Sequence, residues 1–588
     1  MRAFVYPLAP SAPAGNKGKS SFFKGAENMG TKRKLLTSLL AATTVLSLAA
    51  CSSGGNKAAN SGASESAAPP SASSAASSSA QPSGGDAPGW QADTSPITFD
   101  WYINFSWFNS KWGDDVVAKY VTKKTGVSLN FIVPAGNENE KLNTMLASGS
   151  LPDFITLAAT DEAVRKMISG KLVLPLNELA DQYDAYFYKV ADPAKLGWFT
   201  QPDGNVYGYP NASSSPADYE KYGQSFTSNQ TFEVRKDIYE AIGKPDMRTP
   251  EGFLNALKLA KEKFPEVDGQ PLIPLGLHEF TDTGNYSLES YLQNFLAIPQ
   301  QKDGKLYDRR QDPEYLRWLK TFRKANEMGL LAKDIFIDKR PQMEEKIAQG
   351  RYFAMLYQRS DFATQNLARY QKDPNSVYIA VDGPSNAALD APTLSGPGIS
   401  GWTVTLISKN VKDKKRAISF LSYLISEEGN KDLFLGEKGV TYDTIDGKDQ
   451  FKPEVVDLLN KDRLAFDQKY GASYKYWMLM DTNMNLQWAP PSVEPAKQLE
   501  DWTKGHSMSM SEFDNLDPPP TTKEGVASSK NARLWGKTLP KLLLAKSDAE
   551  FDNIFDTYLK DRSDQDAIEA YRQQAYEANV KKLESLNK

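Results

Sequence analysis

The 588-residue chain holds one cysteine and two histidines. A lone thiol excludes a disulfide framework and a thiolate metal cage. His278 and His506 each stand without a second histidine or a cysteine nearby, so zinc centres and Ser-His-Asp chemistry have almost no material. The longest apolar stretch, Leu35 to Ala50, falls short of the ~20 residues of a spanning helix. No sequence period of 20–50 residues appears, which argues against a solenoid or a propeller. Gly18–Lys19–Ser20 is no phosphate loop, because Pro13 stands where the first glycine is required. No loop of the D-x-[DN]-x-[DN]-G type occurs, so no structural calcium, metal or other cofactor is expected. Positive charge is outnumbered as well, 69 Lys and Arg against 73 acids. Residues 1–50 carry seven Lys and Arg against one acid, so the formal charge of −4 becomes −10 from Cys51 onward. An acidic chain without a basic tract is a poor partner for nucleic acid or an anionic membrane.

What is present begins with Lys32–Arg33–Lys34, an apolar run and small residues, the pattern of a secretory signal peptide over 29–50. Its last four residues, Leu48–Ala49–Ala50–Cys51, resemble the bacterial lipobox, which implies a lipid on Cys51 and a mature N-terminus there. The competing reading is a small buried cysteine, but nothing in L-A-A-C suggests a packing role. Residues 1–28 look unlike any leader. Lys24–Gly25–Ala26 can be encoded by a ribosome-binding sequence ahead of Met29, so 1–28 are expected to be an untranslated or artefactual extension. From 51 to 95 the chain is Ser, Ala, Gly and Pro with hardly a large apolar residue before Trp90. Such a segment cannot offset its ordering entropy and is expected to be a disordered tether.

The body alternates strand and helix. Ile97–Ile103 places Ile97, Phe99, Trp101 and Ile103 on one face. A polar–aromatic loop follows, then a helix ending at Thr125–Gly126, where glycine can take the left-handed cap. Val127–Val133 and Phe154–Leu157 are further strands, separated by a helix from Asn139 to Ser148. Thr249–Pro250–Glu251 starts another helix with an N-cap, Pro at the first position and an acid in the first turn. Gly401–Ile407 is a strand leading to a helix from Lys414 to Glu428. Alternation with short connections is the signature of a parallel α/β sheet.

Six segments in order behind the lipobox carry a resemblance: "KKTGVSLNF", "KLNTMLASGSLPDFITL", "GKLVLPLNELADQY", "QPDGNVYGYP", "EVRKDIYEAIGKPDMRTPEGF" and "GWTVTLISKNVKDKKRAISFLSYLISEEGNKDLFLGEKGV". The chain resembles the extracellular solute-binding lipoproteins of bacterial ABC importers, in their large Gram-positive carbohydrate-binding branch. The resemblance implies an α/β, type II periplasmic-binding-protein-like fold of two lobes, each a mostly parallel sheet flanked by helices, with the ligand cleft between them. By analogy the crossings fall after Tyr209–Pro210, near Asp382–Gly383–Pro384 and near Gly447. Lobe 1 is then 96–212 and 383–446, and lobe 2 is 213–382 and 447–588. Two departures, Gly252 and Ala545–Lys546–Ser547, fall where helices begin. The resemblance further implies a monomer on the outer membrane face, held by its lipid alone, that closes on a carbohydrate and delivers it to a permease with a separate ATPase.

The residues support a binding role in their own right. Open α/β sheets place ligands beyond the carboxyl ends of strands. Sugars offer C–H faces to aromatic rings and hydroxyls to a few placed polar groups. The expected ligand residues are Asn104, Trp107 and Trp112 in the loop after the first strand, Asp153 after "SGSLP", Tyr209 at the first crossing and Trp402. Trp477 and Trp488 in "YKYWMLMDTNMNLQW" are further candidates. Core packing is the competing assignment for each aromatic. A secreted glycosidase would need two carboxylates; Asp100, Asp114–Asp115 and Asp153 offer no distinguishing spacing. It would also need eight βα repeats if it were a barrel. A structural surface lipoprotein would favour β-sandwich patterning, which is missing.

Overall fold

The computed structural model describes residues 87–135 and 138–586. Cys51, the leader and most of the expected tether lie outside them. Two sheets carry the architecture. In chain order their strands are β1 (Ile97–Ile103), β2 (Val127–Ile132), β3 (Phe154–Ala158), β4 (Gly208–Pro210), β5 (Gln230–Arg235), β6 (Ile273–Leu277), β7 (Tyr352–Gln358), β8 (Tyr378–Ala380) and β9 (Thr403–Ile407). The first sheet has the order β2-β1-β3-β9-β4 and the second the order β8-β5-β7-β6.

Alternation in β1 is used on both faces. Phe99, Trp101 and Ile103 enter one core, while Tyr102 joins Ile155, Leu157 and Leu406 on the opposite side. A sheet covered on both faces is what βαβ crossovers produce. The helix Val116–Thr125 that joins β1 to β2 is capped by the Asp115 side chain, which accepts from Ala118 N. It ends at Gly126 with φ 72°, where an added Cβ would lie 2.1 Å from the Thr94 carbonyl oxygen. Glycine is required there. Gly252 has a comparable reason. Its Cβ would lie 2.1 Å from Asp246 O, so an acid cannot stand at this position.

The sheets are more mixed than the expectation of mostly parallel pairing. β1 is parallel to β2 and β3, but β9 is antiparallel to β3 and β4. In the second sheet β7 is parallel to β6, whereas β5 is antiparallel to β7 and β8. The strands that break the rule, β5 and β9, are the ones the chain reaches by coming over from the other sheet. Connections that return within a sheet through a helix produce parallel neighbours; a strand arriving from the other sheet is free of that constraint.

Five boundaries differ from the sequence reading. Residues 383–394, assigned to lobe 1, stay with the second core, where Leu394 is buried and a Cβ on Gly383 would meet the Phe232 ring. Gly89–Ala92 form a helical turn whose Trp90 is buried against Tyr423, so ordered packing starts before 95. Trp90 is the first large apolar side chain after the tether, and burial begins with it. The helix expected over Lys414–Glu428 stops at Ile425, because Ser426 is extended (ψ 160°) and caps a second helix, Glu427–Leu435. Gly447 is no crossing. Asp446 and Gly447, with φ 52° and 76°, make the two-residue turn of a hairpin, Tyr442–Ile445 with Lys448–Phe451. The chain then stays with the first core. Phe451, Phe466, Trp477 and Trp488 are all buried there. The assignment of 447–489 to lobe 2 is thereby corrected; the chain reaches the second core after that point, with Leu499 packed beside Tyr378.

Candidate functional site

A cavity of about 530 Å³ lies between the two cores, and both contribute to its walls. Its size falls in the range of roughly 300–1,000 Å³ usual for small-molecule sites. The first wall is aromatic. Trp107 follows the carboxyl end of β1 and Trp402 precedes β9; their rings are parallel within 7° at a centroid spacing of 6.0 Å. Phe105 leans on both, 5.4 Å from each.

Backbone geometry holds this wall in place. Gly401 lies at φ 66°, and an added Cβ would meet Asn211 O at 2.1 Å. The buried Asn211 stitches three segments together. Trp402 N donates to its carbonyl (3.2 Å), Thr403 N to its Oδ1 (2.8 Å), and its Nδ2 donates to Trp477 O (3.0 Å). Trp477 lies beneath, fully buried, with its ring 4.4 Å from Trp402.

The opposite wall is polar and comes from the second sheet. Gln358, the last residue of β7, accepts from Tyr291 OH at 3.0 Å and donates to Asp361 Oδ1 at 2.9 Å. Gln230, the first residue of β5, accepts from Asn294 Nδ2 at 2.9 Å. Arg340 places Nε 2.7 Å from Glu344 Oε1 and an NH1 3.3 Å from Asp361 Oδ2. Arg359 is buried at the edge of the cleft. It donates to Ser228 O (2.7 Å), Thr227 Oγ1 (3.0 Å) and Glu500 Oε1 (3.1 Å). Burial pushes the Asp361 carboxyl up despite Arg340 beside it. His278 packs against Tyr286, Tyr291 and Tyr357, and burial lowers its pKa to about 3, so it is neutral. A second cavity, about 130 Å³, lies behind Arg359 among Phe434, Leu459, Pro490, Pro491 and Leu499. It is too small for an oligosaccharide, and its exposed surface is mostly apolar.

Of the residues expected from sequence, Trp107 and Trp402 line the cleft together and Trp477 supports them from behind. The others are placed elsewhere. Asn104 is buried and accepts from Tyr102 OH at 2.8 Å. Trp112 donates its Nε1 to Thr122 Oγ1 and packs on Tyr476. Tyr209 is buried in β4, where its hydroxyl accepts from Asp192 N. Trp488 is buried near Phe434. Asp153 precedes β3 and therefore stands at the amino end of the sheet, away from the cleft; it accepts from Asp100 N and Lys412 N. The polar wall went unpredicted. The rule that selected the loop after β1 applies equally to Gln358–Asp361 after β7, and that signal was available in "MLYQRSD".

The chain belongs to the family of bacterial extracellular solute-binding proteins, whose pattern it matches over residues 116–441, more than half its length. It is 23% identical over 342 residues to the lipoprotein LipO of Bacillus subtilis, covering 56% of this chain and 64% of that one. Over 235 residues it is 23% identical to the fructooligosaccharide ABC transporter substrate-binding protein FusA of Streptococcus pneumoniae, covering 38% of this chain and 42% of that one. It is 21% identical over 337 residues to the polygalacturonan/rhamnogalacturonan-binding protein YtcQ of Bacillus subtilis, covering 56% and 64%. In each case the chain spans less than two thirds of the relative. The crystal structure of FusA with kestose superposes with a TM-score of 0.60 at 15% identity, over 82% of this chain and 99% of that one. The fold is thus that of the two-lobed solute-binding proteins.

Proposed function

We propose that the protein captures an extracellular oligosaccharide in the cleft and hands it to the permease of an ABC importer, without chemistry of its own. One observation carries this reading. Two parallel tryptophans face a wall of amides, hydroxyls and one carboxylate across a cavity of ligand size. Aromatic faces suit the C–H surfaces of a sugar ring, and the amide wall suits its hydroxyls. Among the described lining residues Asp361 is the one carboxylate, half of the pair that glycoside hydrolysis uses. No described helix is long and apolar enough to cross a membrane; on this reading the permease and its ATPase are separate chains. A lipid on Cys51 would hold the monomeric binding protein at the outer face of the membrane.

Binding closes the lobes if the ligand is held more tightly in the closed state than in the open one. The test is a thermal-shift screen of neutral and acidic oligosaccharides, kestose and oligogalacturonates included, followed by calorimetric titration of hits. Small-angle scattering at saturating ligand should show compaction. A screen without a stabilising saccharide, or the appearance of cleavage products, refutes the proposal.

A further inference from the structure

We propose that the cleft selects neutral oligosaccharides and rejects uronates, an inference that rests on the carbohydrate reading above. The charged residues lining the cleft are Arg340, Arg359 and Asp361. Both cations are already engaged. Arg359 spends its guanidinium on Glu500, Thr227 and Ser228, and the side chains of the Arg359–Glu500 pair are only 6% and 4% exposed. Arg340 lies between Glu344 and Asp361. Two guanidinium groups therefore face three carboxylates, and no lysine lines the cavity. Arg340 keeps N–H donors beyond those it gives Glu344 and Asp361, but its single positive charge is already shared between two carboxylates, so a carboxylate ligand would compete with them for that charge or sit unpaired beside Asp361. Like charges in a partly desolvated site repel strongly.

The uncommitted polar atoms call for O–H donors. Asn229 lines the cavity, and its Oδ1 is buried without a hydrogen-bond partner. An orphaned buried acceptor costs free energy until a donor reaches it. Asp361 in its ionised form is also an acceptor only. A sugar hydroxyl can donate to both; a carboxylate can donate to neither. Neutral sugars and uronates both carry such hydroxyls, so these acceptors favour a saccharide, and the discrimination against uronates rests on the charge balance around Arg340 and Asp361.

The experiment is calorimetric titration at pH 7 with two sets of trisaccharides. The neutral set is kestose, maltotriose, xylotriose and galactotriose; the acidic set is trigalacturonate and trimannuronate. The expected result is binding of at least one neutral sugar, with both acidic ones at least 100-fold weaker. In the double variant Glu344→Gln, Asp361→Asn, which frees Arg340, affinity for trigalacturonate should rise at least tenfold. An acidic sugar that binds the unmodified protein as tightly as the best neutral one overturns the selectivity and leaves the carbohydrate reading standing. So does a double variant that folds, as judged by its melting curve, yet gains no affinity for trigalacturonate. Binding of no saccharide from either set removes the carbohydrate reading, and the selectivity falls with it.

Discussion

Trp402→Ala and Trp477→Ala should have opposite effects on binding and on stability. Trp402 is half-buried in the cleft wall, whereas Trp477 is fully buried directly behind it, 4.4 Å away. Truncating a fully buried Trp costs about 3–5 kcal/mol, and half that burial scales to about 2 kcal/mol. A folded body of roughly 500 residues has an unfolding entropy near 1 kcal/mol/K, so these costs correspond to about 3–5 °C for Trp477→Ala and about 2 °C for Trp402→Ala. Affinity should reverse the order. Trp402→Ala removes one of the two parallel rings and should weaken oligosaccharide binding at least tenfold, about 1.4 kcal/mol. Trp477 acts on a ligand only indirectly, through Trp402, Trp107 and Phe105, and its truncation should cost less. Scanning calorimetry and titration of both purified variants with the tightest ligand of the screen decide the matter. If Trp402→Ala binds like the unmodified protein, or Trp477→Ala loses more affinity than Trp402→Ala, the aromatic wall is not the binding surface.

Three further outcomes are expected. Gly401→Ala forces a Cβ onto the Asn211 carbonyl at a positive φ, and should lower both the melting temperature and the affinity, since Trp402 is the next residue; unchanged values for both would show that the turn relaxes freely. Glu500→Gln leaves the buried Arg359 without its counter-charge and should cost about 3–5 kcal/mol, read by denaturant unfolding, with the double variant Arg359→Met, Glu500→Leu less affected than the single one; a single variant as stable as the original protein would refute a structural role for the pair. Asp514, in the segment packed under Gly398, has its pKa raised to about 6 by burial. Its unfolded value is lower, so the folded state holds the proton longer, and stability falls as pH rises from about 4 to about 6. Asp514→Asn should therefore raise the melting temperature at pH 7.5 and leave it nearly unchanged at pH 4; a gain that is equal at both pH values would assign the effect to something other than ionisation.

Much of the secondary structure was legible because its signals are local. The β1 alternation, the Gly126 cap and the Thr249–Pro250 helix start each depend on neighbours within a few residues, and each forms where the residues indicate. The aromatic half of the cleft was legible for a related reason, as Trp107 needs only the end of β1 to be known. Tyr209, Trp112 and Trp488 show the limit. An aromatic residue near a crossing or a strand end looks the same in sequence whether its ring faces solvent or core, and the choice depends on partners such as Asp192, Tyr476 and Phe434. Asp153 was misplaced for a geometric reason, since a residue preceding a parallel strand stands at the end of the sheet opposite to the ligand.

The polar wall is the more instructive omission, because its elements obey a rule already in use. Gln358 to Asp361 leave the carboxyl end of β7 as Phe105 and Trp107 leave that of β1, and the two loops meet across the cavity. What hid them is that the second sheet is mixed. With β5 antiparallel to β7, one edge of that sheet presents the amino end of one strand beside the carboxyl end of the next. Gln230 and Gln358, the first residue of β5 and the last of β7, pair in register and both reach the cleft. Strand direction, which a single sequence does not reveal, thus determines which residues face the cleft. The same arrangement explains the chemistry of the wall. Long amide side chains at paired strand ends can bond to one another's neighbours, as Gln358 does to Tyr291 and Gln230 to Asn294.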